Sequence, residues 1–242
     1  MLLNLVGVSK TFGGVTAVRN VDLSIAEGEI LGLIGPNGSG KTTLFNVVTG
    51  FYRPEAGHVF LQDREITGVS PAQVCRLGIA RTFQLVRPFL NLTVLQNVAV
   101  ARAYGHEPAE SRRQAELQAL ALLDTLGFEG RHDVPAHSLT LVDRKRLELA
   151  RALAARPLLL LLDELLAGLN PSEVLAGLDL IRRVRAAGIT VVMVEHLVQA
   201  VFSVCDRVVV MSAGEKIADG SPAAVAADPI VIDAYLGVAQ HA

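Results

Sequence analysis

GPNGSGKTT, residues 35–43, follows the apolar run EILGLI (29–34) and opens a helical pattern through Lys41 to Val48. A strand, a glycine-rich turn and a helix in that order form the context of a phosphate loop. Gly35, Gly38 and Gly40 let the backbone curl, so that successive N–H groups face inward with the helix N-terminus aimed at the same anion. Lys41 adds a point charge for β- and γ-phosphates, and the Thr42 hydroxyl can ligate Mg²⁺. Pro36, Asn37, Ser39 and Thr43 complete the loop as candidate nucleotide contacts.

Outward from the loop, apolar runs bounded by glycine and proline predict strands near Leu31–Ile34, Leu158–Leu162, Thr190–Val194 and Val208–Met211. Continuous apolar runs suit a buried parallel sheet. Helical stretches alternate with them, including Pro171–Ala187, where Asn170 is the expected N-cap, Pro171 sits at N1 and Gly188 ends the helix. The fold expected is therefore α/β. From Thr93 to Ala155 strand signals almost vanish, and Leu117, Leu120 and Leu123 recur at helical spacing, which predicts an inserted helical lobe over about 84–155. The core then comprises about 1–83 and 156–211. SAGEKIADGSP (212–222) predicts a hairpin or paired short strands before a terminal helix, making a C-terminal segment of about 212–242.

Asp163 and Glu164 end a run of five leucines, at the carboxyl edge of a strand where open α/β sheets bind ligands. The aspartate suits a direct or water-mediated Mg²⁺ contact, and the glutamate can polarise an attacking water as general base.

The chain has 242 residues, 51% hydrophobic, enough for one large domain or two joined lobes. A formal net charge of -2 supplies no basic field of the kind nucleic-acid binders use, so no nucleic-acid partner is expected. Two cysteines without a CxxC pair point to a reducing compartment and to no structural metal. MLLNLVGVSK lacks a basic region and a cleavage site and reads as a first strand. PLLLLLDELLAGL meets two carboxylates after its leucines, short of the roughly 20 apolar residues a membrane span needs.

With the phosphate loop, Gln84 in RTFQLVRPF, LDELLAGLNP and His196 in VVMVEHLV, the chain resembles ABC-type ATPases over nearly its whole length. RTFQLVRPFLNLTVLQNV, AGLNP and the ending DPIVIDAYLG resemble, within that family, the ATP-binding subunits of branched-chain amino acid importers. The resemblance implies a P-loop NTPase fold with a RecA-like α/β core, an N-terminal antiparallel β portion and the helical lobe. It implies ATP and Mg²⁺ as ligands and attachment to the cytoplasmic face of a membrane through permease subunits, which alone would contact a substrate-binding protein. By resemblance, Phe12 stacks on adenine, Gln84 approaches Mg²⁺ and the attacking water, and His196 hydrogen-bonds the γ-phosphate and Glu164. Ala167–Asn170 would cross a dimer interface.

Three departures stand out. Leu165 replaces the family's proline after the catalytic glutamate, and Asn170 replaces a frequent aspartate. The signature LSGGQ, aligned on RLELARAL, reads Leu139, Thr140, Leu141, Val142, Asp143. By resemblance Leu139, Thr140 and Val142 would serve a partner's nucleotide in trans, and Val142 lacks the freedom of glycine. The chain's own half-site is complete, so the pattern points to a heterodimer of unlike ATPase subunits driving import of branched-chain amino acids or a similar small polar solute. Three alternatives remain open: a regulatory nucleotide-binding subunit, which Val142 favours and Glu164 and His196 oppose; a soluble mechanical ATPase; and a lipid or lipopolysaccharide exporter ATPase. Against the mechanical ATPase stand the compact length and the lack of a coiled-coil insertion, a second phosphate loop or a basic patch.

Overall fold

A computed structural model describes residues 1–84 and 86–239, the last four by backbone alone. Leu85 of RTFQLVRPF and residues 240–242 of the C-terminal segment lie outside the described residues, as do the side chains of the closing Leu-Gly in DPIVIDAYLG.

In chain order the elements are β1 (Leu3–Phe12), β2 (Val15–Ile25), β3 (Ile30–Ile34), α1 (Lys41–Val48), β4 (Ala56–Leu61), β5 (Arg64–Glu65), α2 (Pro71–Arg76) and β6 (Ile79–Arg81). There follow α3 (Val94–Tyr104), α4 (Arg112–Thr125), a 3₁₀ turn at Ala136–Ser138, α5 (Leu141–Ala154), β7 (Leu159–Asp163) and α6 (Pro171–Ala186). The chain closes with β8 (Thr190–Val194), α7 (Val198–Val204), β9 (Arg207–Ser212), β10 (Glu215–Gly220), α8 (Pro222–Ala226) and α9 (Pro229–Ala239). They form two compact units, Met1–Pro71 with Leu161–Ala242, and Ala72–Leu160.

The first unit holds two sheets. One is antiparallel in the order β2-β1-β4-β5, and its β1–β2 hairpin pairs Leu3 with Ile25 and Phe12 with Val15 around Gly13–Gly14. The other runs β10-β9-β3-β8-β7, with β3 parallel to both β8 and β9. Every residue of β3, β7 and β8 is buried, which is why their sequences are near-continuous apolar runs, broken only by Asp163 and Thr190 at strand ends, rather than alternating ones. The β9–β10 hairpin turns on Ala213 and Gly214, both left-handed, as a two-residue loop in a right-twisted ribbon requires. Helix α6 starts where its cap dictates: Asn170 Oδ1 accepts from the Glu173 N–H at 3.0 Å, and Glu173 Oε2 accepts from the Asn170 N–H at 2.9 Å.

The second unit packs α3 against α4 and α5. Val94, Val98, Ala115, Ala119, Leu123, Phe128 and Leu147 are among its buried residues. The leucine spacing marks α4 as a helix but not its buried face: Leu117 is 58% exposed, and the buried residues are Ala115, Ala119 and Leu123. Small side chains let two helices approach closely, so alanines take the seam that larger leucines would hold apart. Asn97, wholly buried, accepts from the Phe89 N–H at 2.8 Å and donates to the Phe89 and Thr93 carbonyls, tying the preceding loop to α3.

Replacing Asn170 with Ala removes the α6 cap and leaves its first N–H groups to water. The expected cost is about 1 kcal/mol, or about 2–4 °C in Tm for a chain of this size, read by calorimetry.

Candidate functional site

The turn between β3 and α1 takes its shape from two glycines. Gly35 has φ 150°, and a Cβ there would lie 2.1 Å from the Met211 carbonyl oxygen. Gly40, at φ 103°, would put one 2.2 Å from the Ala17 carbonyl oxygen. Neither position admits a Cβ without displacing the backbone packed behind the loop, so both must be glycine. The loop is braced from behind. The Gly214 N–H donates to the Ser39 carbonyl at 3.1 Å, and the Arg19 N–H donates to the Gly214 carbonyl at 2.8 Å. Burial raises the Tyr235 phenol pKa, opposed by a hydrogen bond with the Gly35 backbone.

Lys41 begins α1 with its side chain folded back over the loop. Its ammonium donates to the Gly35 carbonyl at 2.7 Å, the Pro36 carbonyl at 3.0 Å and Ser39 Oγ at 3.2 Å. Burial pushes the Lys41 pKa down, while the charges of Glu164 and Asp163 push it back up. Two carboxylates therefore bear on the one ammonium of the loop. Asn37, Gly38, Ser39, Gly40, Lys41, Thr42 and Thr43 line a cleft of about 280 Å³ together with Ala17, Glu164 and His196. Thr42 is exposed at the start of α1, with its hydroxyl accessible.

Asp163 is the last residue of β7 and 4% exposed. Glu164 follows in a left-handed conformation, φ 51°, with its N–H donating to the Val194 carbonyl at the end of β8 at 2.9 Å. The His196 Nε2–H donates to Glu164 Oε1 at 2.7 Å. Residues far apart in sequence thus meet: the phosphate loop, Glu164 and His196 face one cleft. Sequence reasoning missed Glu195, which is 3% exposed and accepts from the Leu166 N–H at 2.7 Å through Oε1. A glutamate directly after the apolar run VVMV, immediately before the singled-out histidine, was the available signal.

Phe12 ends β1 and is 41% exposed, with Tyr52 edge-on at 5.1 Å between ring centroids and the Lys10 ammonium 5.1 Å from its ring centre. It is a surface aromatic. Ala167, Gly168 and Leu169 lead from the Glu164 turn to the Asn170 cap.

Gln84 and the signature belong to the second unit. Gln84 is exposed in the loop after β6. The preceding Phe83 N–H donates to the buried Glu148 of α5 at 2.7 Å, and Arg151 of α5 donates to the Arg87 carbonyl at 2.8 Å. Leu139 is buried, and Thr140 is the N-cap of α5. Val142 lies in the first turn of that helix and has no positive φ, so the backbone here makes no demand for a glycine torsion. What distinguishes valine from glycine at this position is its side-chain bulk. Asp143 Oδ2 accepts from Thr140 Oγ1 at 2.9 Å and from Arg131 at 2.8 Å, while Thr140 Oγ1 accepts from the Asp143 N–H at 3.2 Å. The Arg131 hydrogen bond holds the Asp143 pKa below the ordinary carboxylate value, opposed by partial burial.

No helix among the described residues is long and apolar enough to cross a membrane.

Comparison with known proteins matches residues 18–167 to the ABC transporter family model and residues 215–241 to the branched-chain amino acid ATP-binding cassette transporter model. The chain is 39% identical to the high-affinity branched-chain amino acid transport ATP-binding protein LivG of Escherichia coli, covering 98% of each. It is 38% identical to the lipopolysaccharide export system ATP-binding protein LptB of Acidithiobacillus ferridurans, covering 98% of this chain and 97% of that one. The solved ADP conformation of MJ1267, an ATP-binding cassette of an ABC transporter, superposes with a TM-score of 0.88 at 32% identity, covering 98% of each chain. A loop shaped by glycines, a lysine under two carboxylates and a family match over more than half the chain converge: the protein belongs to the ABC transporter family, as an ATP-binding subunit whose ATPase activity is coupled to transport.

Proposed function

We infer that this subunit powers an importer of branched-chain amino acids or a similar small polar solute, working on the cytoplasmic face against permease subunits and beside a second, unlike ATPase subunit. The C-terminal match at residues 215–241 supports the solute class, since that model is described for branched-chain amino acid cassettes. The observation that carries the hydrolytic role is the grouping of Lys41, Glu164 and His196 around one cleft.

In this reading the loop N–H groups and the positive end of α1 hold the ATP phosphates, and the Lys41 ammonium turns from the Gly35 and Pro36 carbonyls to the β- and γ-oxygens. Phe12 offers its exposed ring to adenine. Glu164 takes the proton of the attacking water, and His196, already hydrogen-bonded to that carboxylate, fixes its direction and reaches the γ-phosphate. Mg²⁺ suits the hard oxygen donors here. The Thr42 hydroxyl and the Asp163 carboxylate would hold it, and it would neutralise phosphate charge. The carboxylates whose charges act on Lys41 fit such a cation beside the phosphates.

The asymmetry has a specific support in α5. A signature helix presents a positive N-terminus to the partner's γ-phosphate, but here Asp143 sets its own carboxylate at that end, with Thr140 donating its hydroxyl proton to it. A phosphate arriving there meets the Val142 side chain and a competing anion. The chain therefore offers a full site for its own ATP and a weak one for its partner's. A regulatory subunit with low turnover shares this feature, and ATPase measured with and without the co-purifying partners separates the two readings.

Glu164→Gln is expected to bind and trap ATP while lowering turnover by about 10²-fold or more; undiminished hydrolysis would remove Glu164 from the base role. In the complex, Val142→Gly with Asp143→Gln is expected to raise turnover about twofold as a second site becomes competent. No gain there, or ATP-driven dimerisation and full-rate hydrolysis by the purified chain alone, would overturn the asymmetric pairing. Solute uptake by reconstituted complexes, leucine against lipopolysaccharide, tests the importer reading.

A further inference from the structure

The left-handed backbone at Glu164 is costly for a residue with a Cβ and persists only where the surroundings over-determine it. The family's proline would have stiffened this turn, and Leu165 does not. What fixes the turn instead comes from the end of β8. The Val194 carbonyl takes the Glu164 N–H at 2.9 Å, and the Glu195 carboxylate takes the Leu166 N–H at 2.7 Å. The Ala167 N–H closes the turn onto the Glu164 carbonyl at 3.3 Å. Leu166 is fully buried, so its N–H has no water to fall back on.

We propose that Glu195 is a positioning residue for ATP hydrolysis: its buried carboxylate locks the Leu165–Leu166 turn and thereby aims the Glu164 carboxylate at His196 and the cleft. Two consecutive residues just beyond β8 take opposite duties. Glu195 faces the interior at 3% exposure and grips the backbone beyond Glu164, while His196 faces the cleft and grips the Glu164 side chain. Backbone and side chain of the base are thus held by one dipeptide. Releasing the backbone anchor lets residue 164 relax toward right-handed torsions, which swings the carboxylate away while leaving the phosphate loop intact. The inference rests on reading Glu164 as the base.

The test uses the full-length chain purified with the membrane and ATPase subunits that accompany it, measuring ATP hydrolysis and, separately, equilibrium ATP binding. Glu195→Ala is expected to lower kcat about 10–100-fold, since a displacement near 1 Å in a reacting group costs on that order. Glu195→Asp keeps the charge but draws the oxygens back by one bond, about 1.5 Å, and is expected to lose rate in the same direction. Glu195→Gln retains an acceptor oxygen for the Leu166 N–H and is expected to stay within about threefold of the parent, with ATP affinity in all three within about twofold. Should the alanine variant fail to fold, the aspartate and glutamine variants carry the comparison. In a Glu164→Gln background, residual hydrolysis of radiolabelled ATP is expected to fall no further when Glu195 is changed. Parental rates in both the alanine and aspartate variants, equal loss of rate and affinity, or a further loss in the Glu164→Gln background would overturn the proposal while leaving Glu164 as base. Undiminished hydrolysis by Glu164→Gln would remove the base reading and this inference with it.

Discussion

The hydrogen bond from the Glu164 N–H to the Val194 carbonyl joins the ends of β7 and β8 at the point where the chain stops being sheet and becomes site. Everything chemical in the first unit is arranged around that junction. Because β3, β7 and β8 are buried along their whole length, their carboxyl ends are fixed by the core, and the residues just beyond them inherit that rigidity. Gly35 follows β3, Asp163 and Glu164 close β7, and His196 comes two residues after β8. A site assembled from strand ends needs little further ordering when ligand arrives, which is how electrostatic stabilisation of a transferring phosphoryl group is made inexpensive in reorganisation.

The same junction explains why charge is tolerated inside the core. Asp163, Glu195 and Lys41 are all nearly inaccessible, a combination that would be prohibitive for isolated ions. Each is held by opposite charge or by backbone donors and acceptors: Lys41 lies under the influence of both Asp163 and Glu164, and Glu195 is satisfied by the Leu166 N–H. In the second unit the altered signature follows the same rule, with Arg131 paired to Asp143 at 2.8 Å beside the α5 cap. A carboxylate at a helix N-terminus is a stabilising feature for the subunit that carries it. Its cost falls on a neighbour that needs the same place for a phosphate.

Much of this was legible in the sequence where the determinants are local. The run EILGLI before GPNGSGKTT defined β3 and α1, and Asn170-Pro171 with Glu173 three residues beyond the cap defined the start of α6, because caps and glycine turns act within a few residues. Leucine spacing marked α4 as a helix but did not show which face it buries, because Ala115 and Ala119, which lie buried with Leu123, carry no strong apolar signal. The left-handed Glu164 was unreadable because neither glycine nor proline marks the turn, and its anchor Glu195 lies 29 residues from Leu166. The Arg131–Asp143 pair was likewise hidden by separation. The valine at 142 drew suspicion through its torsional preference, whereas the helix around it asks for none, and only its bulk and its acidic neighbour distinguish it.

The bracing of the phosphate loop by the β9–β10 hairpin carries a consequence for how such subunits diversify. Gly214 sits at the tip of that hairpin and is bonded to Ser39 on one side and Arg19 on the other, Met211 stands against Gly35, and Tyr235 of α9 reaches the same glycine. The stretch matched by the branched-chain cassette model begins at the very next residue, 215. The stretch that carries this match therefore starts inside the hairpin that braces the phosphate loop, so a change that displaces the β10 end of that hairpin is transmitted to the loop through the Gly214 contacts.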